Sequence, residues 1–227
     1  MKLRLLSCFT VLSILAAAIF GGMKRQSYTD ITKDSRYLES IQTAEFPEAL
    51  ITDCCDKMMA SLPDSQLILR VSVSEEIEYL FGTGRQKVRV QEVYAGNDLE
   101  IGDEIYLTSR HWCLGFGDSY HSLERGFINL MTADHEYLVF LSHRMDTLEN
   151  ETPPVYSMVD DFLIAPVFCY QTHSHVILVP ADEESTAVPY QKVKDNEFFA
   201  TSEFTLDVWK KLKSRLLSAY PRKESAG

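Results

Sequence analysis

The sequence predicts an α+β protein that is mainly β, with a barrel of five to six short antiparallel strands and a flanking helix on each side in sequence. Helical periodicity occurs near residues 46–62 and 202–219, and an apolar segment that favours a helix lies at the N-terminus. Between the two amphipathic segments, short runs rich in Val, Ile and Leu alternate with glycine-containing turns. Such strands close into a barrel because closure removes exposed strand edges.

The first 25 residues predict a segment that enters or crosses a membrane. Lys2 and Arg4 precede an apolar run over residues 5–20. One interpretation is a cleaved signal peptide, because residues 16–18 are the alanines of an A-x-A cleavage pattern. The other is an uncleaved transmembrane anchor with the domain outside the cell, because residues 5–23 reach the length of about 17–25 residues that spans a bilayer. The chain is therefore predicted to lie at the cell membrane or to be secreted.

The rest of the chain predicts one domain, bounded by residues of different character. Residues 26–45 are polar and predict a spacer, residues 46–220 predict the domain, and residues 221–227 predict a tail. A domain of this length can bury a sizeable core. The net charge of −11 argues against a nucleic-acid partner, because non-specific nucleic-acid binding needs a basic surface.

Two amphipathic helices are predicted at the ends of the domain. In the first, Pro47 fits the first helical position and apolar residues recur three or four positions apart. The last helix is predicted to begin at a cap, Ser202 or Thr205, and to end before Pro221. The predicted buried stripe of the last helix contains Leu206, Trp209, Leu212, Leu216 and Tyr220.

Strands are predicted between the helices. Val88 and Val90 alternate with charged residues, which is typical of a strand with one solvated face. The predicted strands cover residues 67–74, 86–94, 104–109 and 136–142, with further candidates at 162–170 and 175–179 and a continuation of the first strand at 77–81. A glycine- and aromatic-rich loop is predicted at 110–126 and a polar loop at 147–154.

Four segments of this region have a familiar order of strands and glycines. They are Ser65-Gln66-Leu67-Ile68-Leu69, Val88-Arg89-Val90-Gln91-Glu92-Val93-Tyr94-Ala95-Gly96, Leu99-Glu100-Ile101-Gly102-Asp103-Glu104-Ile105 and His135-Glu136-Tyr137-Leu138-Val139-Phe140-Leu141. This pattern resembles the OB-type barrel of the netrin-module and tissue-inhibitor-of-metalloproteinase-like group, which includes exported bacterial proteins of unknown role. The resemblance covers residues 67–141, about a third of the chain, and implies an OB-like barrel.

The same resemblance does not extend to protease inhibition. Metalloproteinase inhibitors of this group use a cysteine at the mature N-terminus to reach the zinc of the target. Here a polar spacer and a helix precede the first strand, and no cysteine lies at a mature N-terminus.

The cysteines outside the leader are Cys54, Cys55, Cys113 and Cys169. An even number in an exported chain permits disulfides, and a Cys113–Cys169 bridge is the favoured pairing. The alternative is that all four are buried thiols, because a free cysteine packs as a small hydrophobic side chain.

Two histidine-containing pairs are the candidate metal ligands. His111 and Cys113 are two residues apart, as are His173 and His175, so each pair would lie on one face of a strand. Nitrogen and sulfur donors suit zinc. A metal-dependent or cysteine-based hydrolase using these four residues is therefore an alternative function, although no P-loop, G-x-S-x-G or H-E-x-x-H motif occurs.

The aromatic residues Trp112, Phe116 and Tyr120 lie in the glycine-rich segment 110–126 and form a candidate binding loop. Aromatic side chains on loops supply contact area at low entropic cost. The alternative is that Trp112 and Phe116 fold back and plug one end of the barrel.

The leader, the barrel-like strand order and the lack of a catalytic motif together favour a non-enzymatic binding module. We expect its partner to be an unknown protein or cell-surface ligand, with a membrane contact through the N-terminal segment, no nucleic acid, and no cofactor unless the zinc alternative holds. A structural cell-envelope protein is a further alternative.

Overall fold

The computed structural model describes residues 12–22, 41–80, 83–116, 123–125, 128–146, 152–179 and 187–223. The chain divides into two units, residues 1–37 and residues 38–227, and each is described by itself. In the first unit, residues 12–22 form helix α1. Within the described residues, no helix combines the length and the apolar character needed to span a membrane.

The second unit contains two further helices and eleven strands among its described residues. In chain order these are β1 (Ile41–Ala44), α2 (Glu48–Ser61), β2 (Leu67–Val73), β3 (Glu78–Leu80), β4 (Thr83–Ala95), β5 (Glu104–Thr108), β6 (Leu114–Phe116), β7 (Leu123–Arg125), β8 (Glu136–Arg144), β9 (Val155–Met158), β10 (Val167–Cys169), β11 (Ala187–Pro189) and α3 (Glu203–Ala219).

Five of these strands form a closed barrel. Their order is β8–β2–β4–β5–β9, and pairing of β8 with β9 completes the ring. Strand β10 shares the second edge of β8 with β9, and β3 forms a hairpin with β4. The fold is therefore α+β, mainly β, with an OB-like barrel and flanking helices, as expected. One expectation is corrected: β5 and β9 pair in parallel, so the barrel is mixed and not wholly antiparallel.

The hydrophobic core has two main layers that meet at β8. Tyr137, Val139 and Leu141 point into the barrel, whereas Leu138 and Phe140 face helices α2 and α3 on its outer side. A strand that is buried on both faces reads as a continuous apolar run. This explains why β8 shows no alternation in the sequence.

A small second sheet lies beside the barrel in the order β11–β1–β7–β6. Strand β1 shows that the predicted spacer is too long at its C-terminal end, because residues 41–44 pair with β7 and β11 and Ile41 is buried. The predicted loop 110–126 likewise contains β6 and β7. These strands have three or four residues each, which is too short for a period-two pattern to be recognised.

Other boundaries also differ from the expectations. Strand β9 was not predicted, because all its residues are buried and they do not alternate. The predicted strand 175–179 does not form. The side-chain amide of Asn196 instead binds both the main-chain N–H and the carbonyl of Val176, at 2.8 Å each, and so takes the place of a neighbouring strand. Pro47 is the N-cap of α2 and not its first helical residue.

Candidate functional site

A groove of about 440 Å³ lies between α3 and the chain that follows β10. Its walls come from residues 170–175 on one side and from one face of α3 on the other. The lining residues are Tyr170, Gln171, Thr172, His173, His175, Trp209, Lys210, Lys213, Ser214, Leu217 and Ser218. The groove therefore includes two of the histidines that the sequence singled out.

Helix α3 presents its groove residues for a simple geometric reason. Positions three or four apart lie on one face of a helix, so Lys210, Lys213 and Ser214 share a face beside the buried stripe that contains Trp209. The opposite wall is fixed where Asn196 holds the main chain at Val176. The groove is thus built on a packed helix and a clamped segment.

Trp209 forms the base of this site. Its side chain has no exposed surface, and its ring stacks on Phe198 with 5.1 Å between ring centroids and an angle of 7°. The centroids of the His175 and Trp209 rings lie 5.9 Å apart, with an angle of 61° between the ring planes. The indole Nε1 is buried and has no hydrogen-bond partner among the described residues. A buried N–H without an acceptor is destabilising unless something else supplies the acceptor.

The two histidines of the groove are arranged alike. A main-chain group of Asp195 hydrogen-bonds to the His173 ring, and the main chain of His173 hydrogen-bonds to the His175 ring. In each ring the Nε2 atom is buried and without a hydrogen-bond partner in the described part of the chain. Each imidazole therefore has one hydrogen bond to the main chain and one buried nitrogen without a partner among the described residues.

Both imidazoles are held in the neutral form. Burial, helped by the positive charge of Lys213, lowers the pKa of His173. Burial, followed by the charges of Lys210 and Lys213, lowers the pKa of His175 to about 4. A bound anion would oppose both effects, because it stabilises the protonated imidazole.

The ammonium group of Lys213 is held in place by a buried carboxylate. The Glu197 side chain has no exposed surface, pairs with the Lys213 ammonium, and accepts a hydrogen bond from the Cys169 main-chain N–H at 2.7 Å. Burial raises the pKa of Glu197, and Lys213 acts against that shift. Lys213 Nζ also lies 5.6 Å from the Trp209 ring centroid. Lys210, by contrast, is exposed and has no ion-pair partner among the described residues.

The chemistry of the groove is that of an anion receptor. Its described lining contains two lysines and two histidines but no aspartate or glutamate, although the whole chain carries a net charge of −11. The Lys210 ammonium and the indole N–H are donors without a partner among the described residues, whereas Lys213 pairs with Glu197 and the Ser218 hydroxyl donates to the Ser214 carbonyl. Such donors form their strongest hydrogen bonds with carboxylate or phosphate oxygens.

The four predicted metal ligands do not form one site. His111 is half-buried beside Asp160, and burial followed by Arg110 lowers its pKa. Cys113 is exposed, whereas His173 and His175 lie in the groove. Across the described residues, which include all four, no group of three or more His, Cys, Asp or Glu side chains could hold a metal ion. The geometry therefore gives the four-residue zinc or hydrolase site no support.

The predicted Cys113–Cys169 bridge is also wrong. Cys113 is exposed, Cys169 is completely buried, and both are free thiols. Cys54 and Cys55 are buried free thiols on α2. The alternative of four buried thiols thus holds for three of the four cysteines.

The prediction that Trp112 belongs to an exposed binding loop is wrong. Its side chain is buried among the residues that fill the barrel, and its Nε1 donates to the Asn129 carbonyl at 3.2 Å. The alternative that this residue plugs the barrel is confirmed. The Phe116 side chain and the whole of Tyr120 lie outside the described residues.

Sequence reasoning missed Trp209, Lys210 and Lys213 as site residues. The pattern of the last helix places Trp209 in its buried stripe and leaves Lys210 and Lys213 outside that stripe, and it gives no other signal for them. The neighbourhood of His173 and His175 depends on the approach of α3 to the end of β10, which is a tertiary contact.

The fold and the groove together define an α+β protein with an OB-like barrel and a basic groove on its outer side. Neither a protein-family model nor a curated protein sequence matches this chain.

Proposed function

We propose that this chain is an exported or membrane-anchored, non-enzymatic binding module whose groove binds an anionic ligand. The observation that carries the proposal is the buried indole N–H of Trp209, which lacks an acceptor among the described residues in a groove that holds Lys210 and Lys213. An anionic oxygen that reached this N–H would satisfy the donor and would be attracted by the Lys210 ammonium, whereas the charge of Lys213 is already paired with Glu197. The ligand class is therefore a carboxylate or a phosphate.

The surroundings of the groove support binding over chemistry. Its two imidazoles are neutral and each is hydrogen-bonded to the main chain, and their buried Nε2 atoms have no hydrogen-bond partner among the described residues. Solvent weakens the attraction between opposite charges near a protein surface, and partial removal of solvent strengthens it. A groove with a buried aromatic base and polar walls is the usual form of a small-ligand site.

The location and kinship are proposed on other grounds. The apolar run of residues 5–20 supports export or anchoring through residues 1–25. The order of the barrel strands, with β5 and β9 parallel, supports kinship with the netrin-module and tissue-inhibitor-like group. Protease inhibition is not part of the proposal, for the reason given above.

The proposal is tested by calorimetric titration of the full chain with inorganic phosphate and, separately, with succinate at constant ionic strength. We expect saturable binding of at least one of them. Lys210→Gln should weaken it roughly threefold to tenfold, because an exposed charge contact contributes on the order of 1 kcal/mol. Lys211→Gln is the matched control, because Lys211 is also exposed but does not line the groove.

The two probes distinguish the sources of the anion. Preference for phosphate would indicate a phosphorylated ligand, and preference for succinate would indicate an acidic side chain or organic acid. Equal loss of binding in the Lys210→Gln and Lys211→Gln variants would place the anion elsewhere and contradict the proposal.

A further inference from the structure

Residues 220–223 lie in a second site, outside the groove. After α3, the main chain of residues 220–221 crosses the outer face of the barrel. The Tyr170 hydroxyl donates to the Tyr220 carbonyl at 2.6 Å, and the Tyr94 hydroxyl donates to the Pro221 carbonyl at 2.7 Å. Two tyrosines thus hold the main chain at the last residue of the predicted domain and at the first residue of the predicted tail.

The next two side chains enter two similar subsites. Arg222 Nε lies 3.0 Å from Glu136 Oε2, and its guanidinium lies 5.3 Å from the centroid of the Tyr170 ring. Lys223 Nζ lies 2.7 Å from Glu92 Oε1 and 5.8 Å from the centroid of the Tyr94 ring. Each subsite is therefore one carboxylate beside one aromatic face, and both groups attract a cation.

These subsites are built on the barrel and do not depend on the tail. Glu92 is on β4, Glu136 begins β8, and Arg70 on the intervening strand β2 pairs with both of them, at 3.4 Å and 3.1 Å. The Glu92 side chain is only 6% exposed. Two carboxylates against one guanidinium leave a negative charge when the tail is away. We name Glu92, Tyr94, Glu136 and Tyr170 the acidic cradle.

The two cationic side chains are held less firmly than the main chain that carries them. The Arg222 and Lys223 side chains are 43% and 75% exposed, and ion pairs at such positions contribute little to stability. A ligand with the same two cations could therefore compete with the tail. Basic segments are also drawn to this chain by its overall negative charge.

We propose that the acidic cradle binds a basic segment of a partner protein, with adjacent Arg and Lys side chains, and that Arg222 and Lys223 occupy it in cis until they are displaced. This site differs from the anion groove in its charge, and of the four cradle residues Tyr170 also lines the groove. The proposal does not depend on the anion-binding function.

The test uses the full chain with Arg222→Gln and Lys223→Gln together, which vacates the subsites without shortening the tail. The probe is the acetylated amide of Arg-Lys, and the matched probe is the acetylated amide of Gln-Gln. Binding is followed by the NMR shifts of the Glu92 and Glu136 main-chain amides. We expect saturable shifts with Arg-Lys only, and at least tenfold weaker binding to the unsubstituted chain.

Two further variants locate the interaction. Adding Glu136→Gln to the double variant should weaken Arg-Lys binding at least threefold, whereas adding Glu104→Gln should not, because Glu104 lies on β5 and pairs with Lys87 and Arg89. Absence of shifts in the double variant would overturn the proposal. Equally tight binding to the unsubstituted chain would also overturn it, because the tail would then not compete.

Discussion

At the scale of single residues, Gln86 shows how the barrel accepts a polar side chain in its interior. It has no exposed surface and lies on the same face of β4 as Val88 and Val90. Its Nε2 donates to the Met131 carbonyl at 2.7 Å, and its Oε1 accepts from the Met131 N–H at 3.2 Å. Gln86 therefore satisfies the main chain of a segment that crosses the barrel without joining its sheet.

We expect Gln86→Leu to destabilise the protein by about 2–4 kcal/mol, because both main-chain groups of Met131 would lose a buried partner. Gln91→Leu is the control. It removes a hydrogen bond of similar length, 2.7 Å to Ser72 Oγ, from the outer face of the same strand, where water replaces it. Urea denaturation of both variants measures the difference. Equal losses of unfolding free energy in the two variants would show that the buried hydrogen bonds between Gln86 and Met131 contribute no more to stability than an exposed one.

His175 gives the stability of the protein a predictable pH dependence. Its pKa is about 4 in the folded protein and about 6.5 in the unfolded chain. Between these values the unfolded chain binds a proton that the folded protein does not, so stability present at pH 7 is lost as the pH falls through this window. After allowance for partial exposure, we expect a loss on the order of 1–2 kcal/mol.

The measurement is the free energy of unfolding at pH 7 and pH 4.5 for the unsubstituted chain and for His175→Gln. The substitution should reduce the pH dependence by the amount stated, whereas His143→Gln, which removes an exposed ring, should not. An unchanged pH dependence in His175→Gln would mean that other groups carry it.

At the scale of elements, the N-cap of α3 is Ser202, one of the two caps that the sequence predicts. Ser202 Oγ accepts a hydrogen bond from the Thr205 N–H at 3.2 Å, and it also contacts the Glu48 carboxylate of α2. We expect Ser202→Ala to cost about 1 kcal/mol and Ser202→Gly a few tenths, because glycine is tolerated at an N-cap. Thermal denaturation would show the two variants to be alike if the cap were unimportant.

The sequence could predict the elements whose patterns are long enough to be recognised. The predicted stripe of α3 identified four of its five buried residues and missed Thr205, and the alternation of Val88 and Val90 gave the correct inward face of β4. The turn at Gly96, where φ is +100°, was also marked by its glycine. These features depend on local periodicity and backbone conformation, which the sequence records directly.

The elements that were missed depend on contacts between distant parts of the chain. Strand β9 has four buried residues and closes the barrel only because β5 and β8 flank it. The candidate site was predicted only in part for the same reason. His173 and His175 were identified, but their proximity to Trp209 requires α3 to pack against the end of β10. Trp112 is buried in the barrel and is not available as a binding residue.

At the scale of the whole molecule, the four described cysteines are free and differ sharply in exposure. Cys113 is exposed, while burial raises the pKa of Cys54, of Cys55 to about 12, and of Cys169 to about 11. In a Cys8→Ser chain, we expect one thiol to react rapidly with a disulfide reagent in the native state and three more to react after unfolding. Only two reactive thiols after unfolding without reductant would indicate a disulfide.

The groove and the acidic cradle give opposite charges to neighbouring parts of one surface. The groove collects Lys210 and Lys213, whereas the cradle collects Glu92 and Glu136, and Tyr170 lies at the border between them. A partner with both an acidic and a basic segment would match this arrangement. Binding at one part can be tested without the other, because the charged residues are not shared.

The most direct test of anion binding at the groove is the NMR signal of the Trp209 indole N–H. The chain has two tryptophans, and the Trp112 indole is already bonded to Asn129, so Trp112→Phe assigns the two signals. We expect phosphate or succinate, added at constant ionic strength, to shift the Trp209 signal saturably while that of Trp112 stays in place, and Lys210→Gln to weaken the effect. A Trp209 signal that does not move up to about 50 mM of either anion, a concentration that reveals even millimolar binding, would contradict the proposed function.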